Sequence, residues 1–170
     1  MTLDDAFDRI VHRSAAKLAH RGFVQRGAIL RMLSQGNSGI IEFQKSTKNS
    51  GNRLLFTVNL AVICGVLFES DQPALGKARS VDGHLRQRLG MLLPGRRDKW
   101  WEVTENTDIS ALETEISDLI SNEAVPYIQR YLDTTEVIAL WRSGKSPGLT
   151  ETQRVRYLNA LDKRGESVEK

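Results

Sequence analysis

The residues best suited to chemistry lie close together in the stretch HLRQRLG, residues 84–90. His84, Arg86 and Arg88 alternate there with apolar or amide side chains, and neighbouring residues of a strand point to opposite faces. The pattern therefore predicts a strand with one imidazole and two guanidinium groups on one side. A planar guanidinium suits carboxylate or phosphate groups, because it can donate two parallel hydrogen bonds.

A second feature follows a few residues later, in the stretch DKWWEV at residues 98–103. A turn at Pro94-Gly95 separates the two stretches, so residues 98–103 are expected to form another strand. Because Trp100 and Trp101 are adjacent, one ring should face the core and the other should not. An indole on the non-core face beside arginines could stack on a ligand or cation.

Two other expected strands also carry polar side chains at alternate positions. Glu42 and Gln44 share one side of the first, and Thr57 and Asn59 share one side of the second. If these faces coincide with that of Arg86, the sheet displays amide, hydroxyl, imidazole and guanidinium groups together. The predicted ligand or partner surface consists of Gln44, Asn59, His84, Arg86, Arg88, Trp100 and Trp101.

The same arginines also have a purely structural interpretation. Buried polar groups need partners whether or not a ligand exists. Arg86 and Arg88 could pair with acids such as Glu113, Glu115 or Asp118 under a layer of helices. This alternative is favoured over a small anion site on the residue pattern alone, and both stay open.

Known catalytic and cofactor patterns are missing from the sequence. Gly144-Lys145-Ser146 has the ending of a phosphate-binding loop, but Ala139 stands where the first glycine belongs. His12, His20 and His84 lack the spacing of metal ligands, and no nucleophile motif is present. We therefore predict no catalytic residues, no metal site and no cofactor.

Composition and charge limit the class of protein. The chain has 170 residues, a single cysteine, Cys64, and a formal charge of +3. One cysteine excludes an internal disulfide, and the start of the chain lacks the features of a signal peptide. The longest apolar stretch, 54–68, is shorter than the ~20 residues that cross a bilayer. We expect a cytoplasmic protein that does not span a membrane, with the buried Cys64 playing a structural role.

The pattern of apolar residues predicts one helix, then strands, then helices. Helix periodicity indicates a first helix at about 3–20, with a capping box formed by Thr2 and Asp5. Alternation indicates strands at about 28–34 (extended by Phe23-Val24), 40–45, 53–64, 84–90 and 98–103, joined as an antiparallel meander. Helices are expected from 109 onward, the first capped by Ser110 and interrupted at Pro126, with the last at 150–163.

Runs of strands followed by runs of helices are typical of an α+β fold. We predict an antiparallel sheet of about five strands, preceded by one helix and followed by three or four helices. Residues 1–165 should form a single domain, and 166–170 a disordered tail.

Four short pieces in order carry a family resemblance. They are Gly22-Phe23, Gln44-Lys45-Ser46, Phe56–Leu60, and Arg88–Gly90 followed by Asp98–Val103. On these pieces the chain resembles a bacterial family described only as domain of unknown function 4304, over most of residues 3–140. The resemblance implies a small cytosolic α+β protein, and the family offers no catalytic residues to transfer.

Three functional hypotheses remain. The first is a non-enzymatic binding or interaction module that recognises a protein partner, or a second copy of itself, through the Arg/Trp surface. The second is a ligand-binding protein or enzyme that acts on a small anionic metabolite at the same face. The third is nucleic-acid binding through Arg96, Arg97 and Lys99 beside the tryptophans, and it is the least favoured because this basic patch is small.

Overall fold

The computed structural model describes residues 1–68 and 74–168, and the side chains up to residue 164. Its helices are α1 (Leu3–Leu18), α2 (Ile109–Leu119), α3 (Val125–Tyr131), α4 (Thr134–Arg142) and α5 (Glu151–Val168). Its strands are β1 (Val24–Arg26), β2 (Ile29–Ser34), β3 (Asn37–Lys45), β4 (Leu54–Ile63), β5 (Leu85–Arg88) and β6 (Trp101–Val103). This order confirms the α+β class. The last helix, α5, runs to Val168, beyond its expected end at 163, and so includes residues 166–168 of the expected tail. Residues 169–170 of that tail lie outside the described residues.

All strand pairs are antiparallel, and the sheet order is β1-β2-β3-β4-β5. The expected meander is wrong at its last step, because β6 pairs with β4 and not with β5. The ten residues of β4 are long enough for β5 to pair with one half of an edge and β6 with the other. Gly90 makes this crossing possible, since a Cβ there would lie 2.7 Å from the backbone nitrogen of Lys99.

Two tight turns revise the predicted start of the sheet. Gly27 adopts a positive φ of 59° and reverses the chain, so that Val24–Arg26 forms a separate strand instead of extending β2. Gln35 and Gly36 both have positive φ, as two-residue hairpin turns require. Consequently β3 begins at Asn37, three residues before the expected start.

Side chains cap the helices, partly at positions other than those expected. Thr2 and Asp5 form the predicted capping box at the start of α1. Asp108, and not Ser110, caps α2 by accepting a hydrogen bond from the backbone of Ala111. Pro126 stands in the first turn of α3, directly after a wide π-helical turn at Ile120–Ala124. There the missing N–H of proline costs little.

The main core lies between one face of the sheet and helices α1 to α4. Leu54, Phe56, Val58, Leu60 and Val62 of β4 all point to this side and are buried. An ion pair between Arg9 and Glu113, and another between Lys17 and Asp118, join α2 to α1 across the outside of this layer. Two basic residues of α1 therefore neutralise two of the acidic side chains of α2.

The opposite face of the sheet is the one that bears polar side chains, and we call it the polar face. Its rows, as set by the strand register, run Glu42–Asn59–Arg88 and Ile40–Ala61–Arg86. Two segments cover parts of it. One is residues 74–82, here called the strap, and the other is the loop 143–150 between α4 and α5.

Candidate functional site

A pocket of about 350 Å³ opens on the polar face between the strap and the loop 143–150. We call it the β5 pocket. Four of the seven predicted surface residues line it: Gln44, Asn59, Arg86 and Arg88. Ser80 and Val81 of the strap form one wall, and Gly148 forms the opposite wall. Antiparallel pairing brings these residues together, since Asn59 stands directly opposite Arg88 and Ala61 opposite Arg86.

Arg86 is the cation at the wall of the pocket nearest the loop. One terminal nitrogen donates to the carbonyl oxygen of Gly148, and its backbone N–H donates to the carbonyl of Pro147 at 3.2 Å. Its Nε atom is buried without a hydrogen-bond partner. None of the described carboxylates contacts Arg86, so its positive charge in the pocket is not neutralised by an ion pair.

Arg88 lies in a different environment, at the mouth of the pocket. Its guanidinium forms an ion pair with Asp98 and lies 5.3 Å from the centre of the Trp100 ring. The indole nitrogen of Trp100 also donates to Asp98, at 3.2 Å. Asp98 therefore neutralises Arg88 and fixes the indole at the edge of the sheet. This acid is not among those expected from the sequence, because Glu113, Glu115 and Asp118 pair elsewhere.

The amides of Gln44 and Asn59 form a polar floor beside the arginines. The Nδ2 of Asn59 donates to the Oε1 of Gln44 at 2.6 Å, so the two side chains hold each other in place. One carbonyl oxygen on Asn59 and one amino group on Gln44 remain to meet a ligand. This arrangement offers both a donor and an acceptor next to Arg86.

The two tryptophans separate as the alternation predicts. Trp101 is 4% exposed, stacks on Phe56 with ring centres 5.9 Å apart, and donates to Glu115 at 3.1 Å. It belongs to the main core and lies away from the pocket. Trp100 is half-buried at the opposite face and is the indole that joins Arg88.

His84 lies on the polar face but is not accessible. It is 1% exposed, and its Nδ1 accepts a hydrogen bond from the backbone N–H of Cys64 at 3.0 Å. Tyr157 of α5 packs edge-on against the ring at 5.0 Å between centres. Burial, with a smaller effect of the nearby Arg156 cation, lowers the pKa of His84 to about 4. This residue is neutral at pH 7 and supports the structure beneath α5.

Glu42 is the polar residue whose role the sequence patterns missed. It is 4% exposed in the middle of the sheet, where Ser80 donates to it through its backbone N–H at 2.9 Å and its hydroxyl at 2.6 Å. Arg79 donates through Nε at 2.9 Å and forms an ion pair with it. Burial raises the pKa of Glu42, but the hydrogen bonds from Ser80 and Arg79 outweigh it, so the pKa lies below its ordinary value. Glu42 thus anchors the strap, and its position within the apolar run IIEF is the signal that could have revealed it.

Gly148 determines how closely the loop approaches β5. Its φ is +78°, and a Cβ there would lie 2.6 Å from the Cβ of Arg86. We expect Gly148→Ala to lower the free energy of unfolding by about 2 kcal/mol, because a left-handed backbone strain of about 1 kcal/mol adds to this clash. Urea unfolding followed by fluorescence measures the loss.

The matched control is Gly144→Ala in the same loop. Gly144 has a φ of +85°, but the space around it is open. Its substitution should cost only the backbone strain, about 1 kcal/mol. Equal losses for the two variants would contradict the close packing of Gly148 on Arg86.

Other kinds of site find little support in the described part of the chain. Cys64 is buried and free, as expected, and burial raises the pKa of its thiol to about 12. Within residues 1–68 and 74–168, no three His, Cys, Asp or Glu side chains cluster to hold a metal ion. Over the same residues, no helix combines the length and apolar character that crossing a membrane requires.

Comparison with known families identifies the chain. The model of a family described as Domain of unknown function (DUF4304) matches residues 14–130, which include the whole sheet and the strap. The chain belongs to this family. The match is shorter at both ends than the 3–140 expected from the sequence pieces. No curated protein and no solved structure matches the chain.

The family range divides the β5 pocket. Gln44, Asn59, Arg86 and Arg88 lie within residues 14–130, whereas Gly148 lies beyond them. The loop that closes one wall of the pocket is therefore outside the part of the chain that the DUF4304 model describes.

Proposed function

We propose that this DUF4304 protein is a binding module that holds a small anion, a carboxylate or a phosphate monoester, in the β5 pocket. The observation that carries the proposal is Arg86, a guanidinium in a concave site with a buried Nε that lacks a partner and with no described carboxylate in contact. An anion bound at the terminal nitrogens of Arg86 would supply the missing negative charge. We further propose a cytoplasmic location, in keeping with a single, unpaired cysteine.

The lining of the pocket favours binding over catalysis. Gln44 and Asn59 offer amides, and the arginines offer permanent cations that do not exchange protons near neutral pH. The hydroxyl of Ser80 donates to Glu42, and because the pKa of this carboxylate lies below its ordinary value, Glu42 is a weak base for activating the hydroxyl. Amides and guanidiniums orient an anion but supply no general acid or base.

Concavity favours a small ligand over a protein partner at the same surface. One face of the Trp100 ring is covered by Arg88, which Asp98 holds in turn, so the indole is committed to contacts within the chain. In protein interfaces, by contrast, the aromatic and arginine side chains that contribute most to binding insert into pockets of the partner protein. Light scattering distinguishes the two ideas, since association through this surface requires a dimer or larger species that Trp100→Ala dissociates.

The anion proposal predicts a specific effect of Arg86. We expect phosphate monoesters or small carboxylates to raise the melting temperature of the protein, and Arg86→Gln to weaken binding about tenfold or more. The reason is the loss of a charge-assisted, forked contact. Isothermal titration with phosphoserine, inorganic phosphate and succinate measures the affinities, and Arg86→Lys, which retains charge without the fork, should be intermediate.

Arg13→Gln is the matched control for this experiment. Arg13 is exposed on α1, and the substitution removes the same charge far from the pocket. It should bind each anion as the parent protein does. Absence of binding by every anion, or an equal loss in the Arg13 and Arg86 variants, would refute the proposal.

A further inference from the structure

Two pockets flank the strap on the polar face. The β5 pocket lies on one side of it, and a second pocket of about 390 Å³ lies on the other, above β1 and β2. We call this the β2 pocket. It is lined by Arg26, Ile29, Arg31, Gly76, Lys77 and Arg79. Four of these six residues are cations, and none of the described residues that line the pocket is acidic.

Strand register explains why these cations meet. Val24 stands opposite Arg31 and Arg26 opposite Ile29, so Arg26 and Arg31 point to the polar face from neighbouring strands. The strap then brings two more cations, Lys77 and Arg79, across the top. Glu42 fixes this crossing by holding Arg79 and Ser80.

The positive charges are only partly balanced. Arg79 is paired with Glu42. Arg31 donates from one terminal nitrogen to the carbonyl of Ala78, but its Nε is buried without a partner. Neither Arg26 nor Lys77 forms an ion pair with any described residue. Three cations, Arg26, Arg31 and Lys77, therefore share one pocket without an ion pair to any described carboxylate.

The environment of Arg31 reflects this imbalance. Burial lowers the pKa of its guanidinium, and the like charge of Arg26 lowers it further, while the smaller attraction of Glu42 opposes them. A partly desolvated cation such as Arg31 beside like charges is costly unless an anion joins it. A ligand with several negative charges would relieve both the desolvation and the repulsion.

We propose that the β2 pocket binds a small polyphosphate group, such as pyrophosphate or the phosphate chain of a nucleotide. Phosphate oxygens match the forked donors of Arg26 and Arg31, and each phosphate group adds negative charge. Lys77 contributes a point charge from the strap. The site is separate from the β5 pocket and rests on different residues.

Isothermal titration with inorganic pyrophosphate at low ionic strength tests the proposal. The parent protein should bind pyrophosphate, and the double variant Arg26→Gln/Lys77→Gln should bind it at least about tenfold more weakly, because two charge-assisted contacts are lost. Both residues are exposed, so the variant should retain the parent melting temperature. Added salt should weaken binding steeply in the parent protein and less in the variant.

The control Arg13→Gln/Lys48→Gln has the same net charge as the test variant. Both control residues are exposed and lie outside the pocket lining. It should bind pyrophosphate as the parent does. Equal weakening in both double variants would show a diffuse charge effect, and absence of binding by the parent would remove the site; either result overturns the proposal.

Two further measurements separate this site from its alternatives. Arg86→Gln should leave pyrophosphate binding unchanged, and a loss there would assign the ligand to the β5 pocket and overturn the present proposal. A single-stranded oligonucleotide should compete poorly with pyrophosphate. If instead the oligonucleotide binds and pyrophosphate does not, the pocket is part of a nucleic-acid surface and the small-ligand proposal is wrong.

Discussion

Glu42→Ala is expected to lower the free energy of unfolding by about 3 kcal/mol. Removal of the carboxylate leaves the backbone N–H and hydroxyl of Ser80 without their acceptor, at a position that is 9% exposed. Each unsatisfied buried donor costs about 1–3 kcal/mol, and the ion pair with the exposed Arg79 adds little more. Urea unfolding of the two proteins measures the difference.

Two variants sharpen this prediction. Glu42→Gln keeps an acceptor for Ser80 but presents an amide to Arg79, so its loss should be intermediate. Glu102→Ala is the matched control, because Glu102 pairs with Arg53 on the same sheet while both side chains are about half exposed. Exposed pairs of this kind are worth less than about 1 kcal/mol. If Glu42→Ala and Glu102→Ala cost the same, Glu42 does not anchor the strap.

The strap connects this stability effect to binding. Residues 79 and 80 line the β2 and β5 pockets respectively, and both are held by Glu42. A folded Glu42 variant should therefore alter the binding of both phosphate monoesters and pyrophosphate, whereas the Arg86 and Arg26/Lys77 variants affect one ligand each. Titration of the folded Glu42→Gln protein with both ligands provides the measurement.

A second large effect concerns acid. The pKa of His84 falls from 6.5 to about 4 in the folded protein, mainly through burial. Between these values the unfolded chain binds a proton at this residue and the folded chain does not. The contribution of His84 to the free energy of unfolding is therefore fully present above pH 6.5 and decreases as the pH falls towards 4. The loss by pH 4 should be about 3 kcal/mol. Urea unfolding at a series of pH values measures it.

The surroundings of both ring nitrogens explain why the folded protein disfavours a protonated His84. Nδ1 accepts from the backbone of Cys64 and would lose this bond on protonation, while Nε2 is buried without a partner. His84→Asn, which can accept the same hydrogen bond without titrating, should be less stable at pH 7 but should show a flatter pH dependence.

His12→Gln/His20→Gln is the control, because His12 on α1 and His20 just after it are both exposed. This double variant should retain the full decline in stability between pH 6.5 and 4. A decline that persists unchanged in His84→Asn would show that carboxylates, and not His84, cause it. Glu42 affects stability at lower pH, since its contribution is present above its ordinary pKa of 4.5 and is lost as the pH falls through the lowered value.

The sequence determined the class of fold because its signals are local. Helix and strand periodicity, the capping box at Thr2 and the contrast between strands and later helices depend on neighbours a few residues apart. The same alternation placed Gln44, Asn59, Arg86 and Arg88 on matching faces and separated Trp100 from Trp101. The family pieces were local as well, and the DUF4304 match bears out their interpretation.

Only the tertiary structure decided which polar groups find partners. Asp98 neutralises Arg88, Gly148 meets Arg86, Tyr157 covers His84, and Glu42 holds the strap from 38 residues away. These contacts depend on long-range packing, which residue spacing does not encode. The pairing of β6 with β4, likewise, depends on which backbone edge stays open after β5 has docked. The two candidate pockets exist because the loop 143–150 and the strap cross one face of the sheet. The paths of these two segments depend on contacts with residues far away in the sequence, such as Arg86 and Glu42.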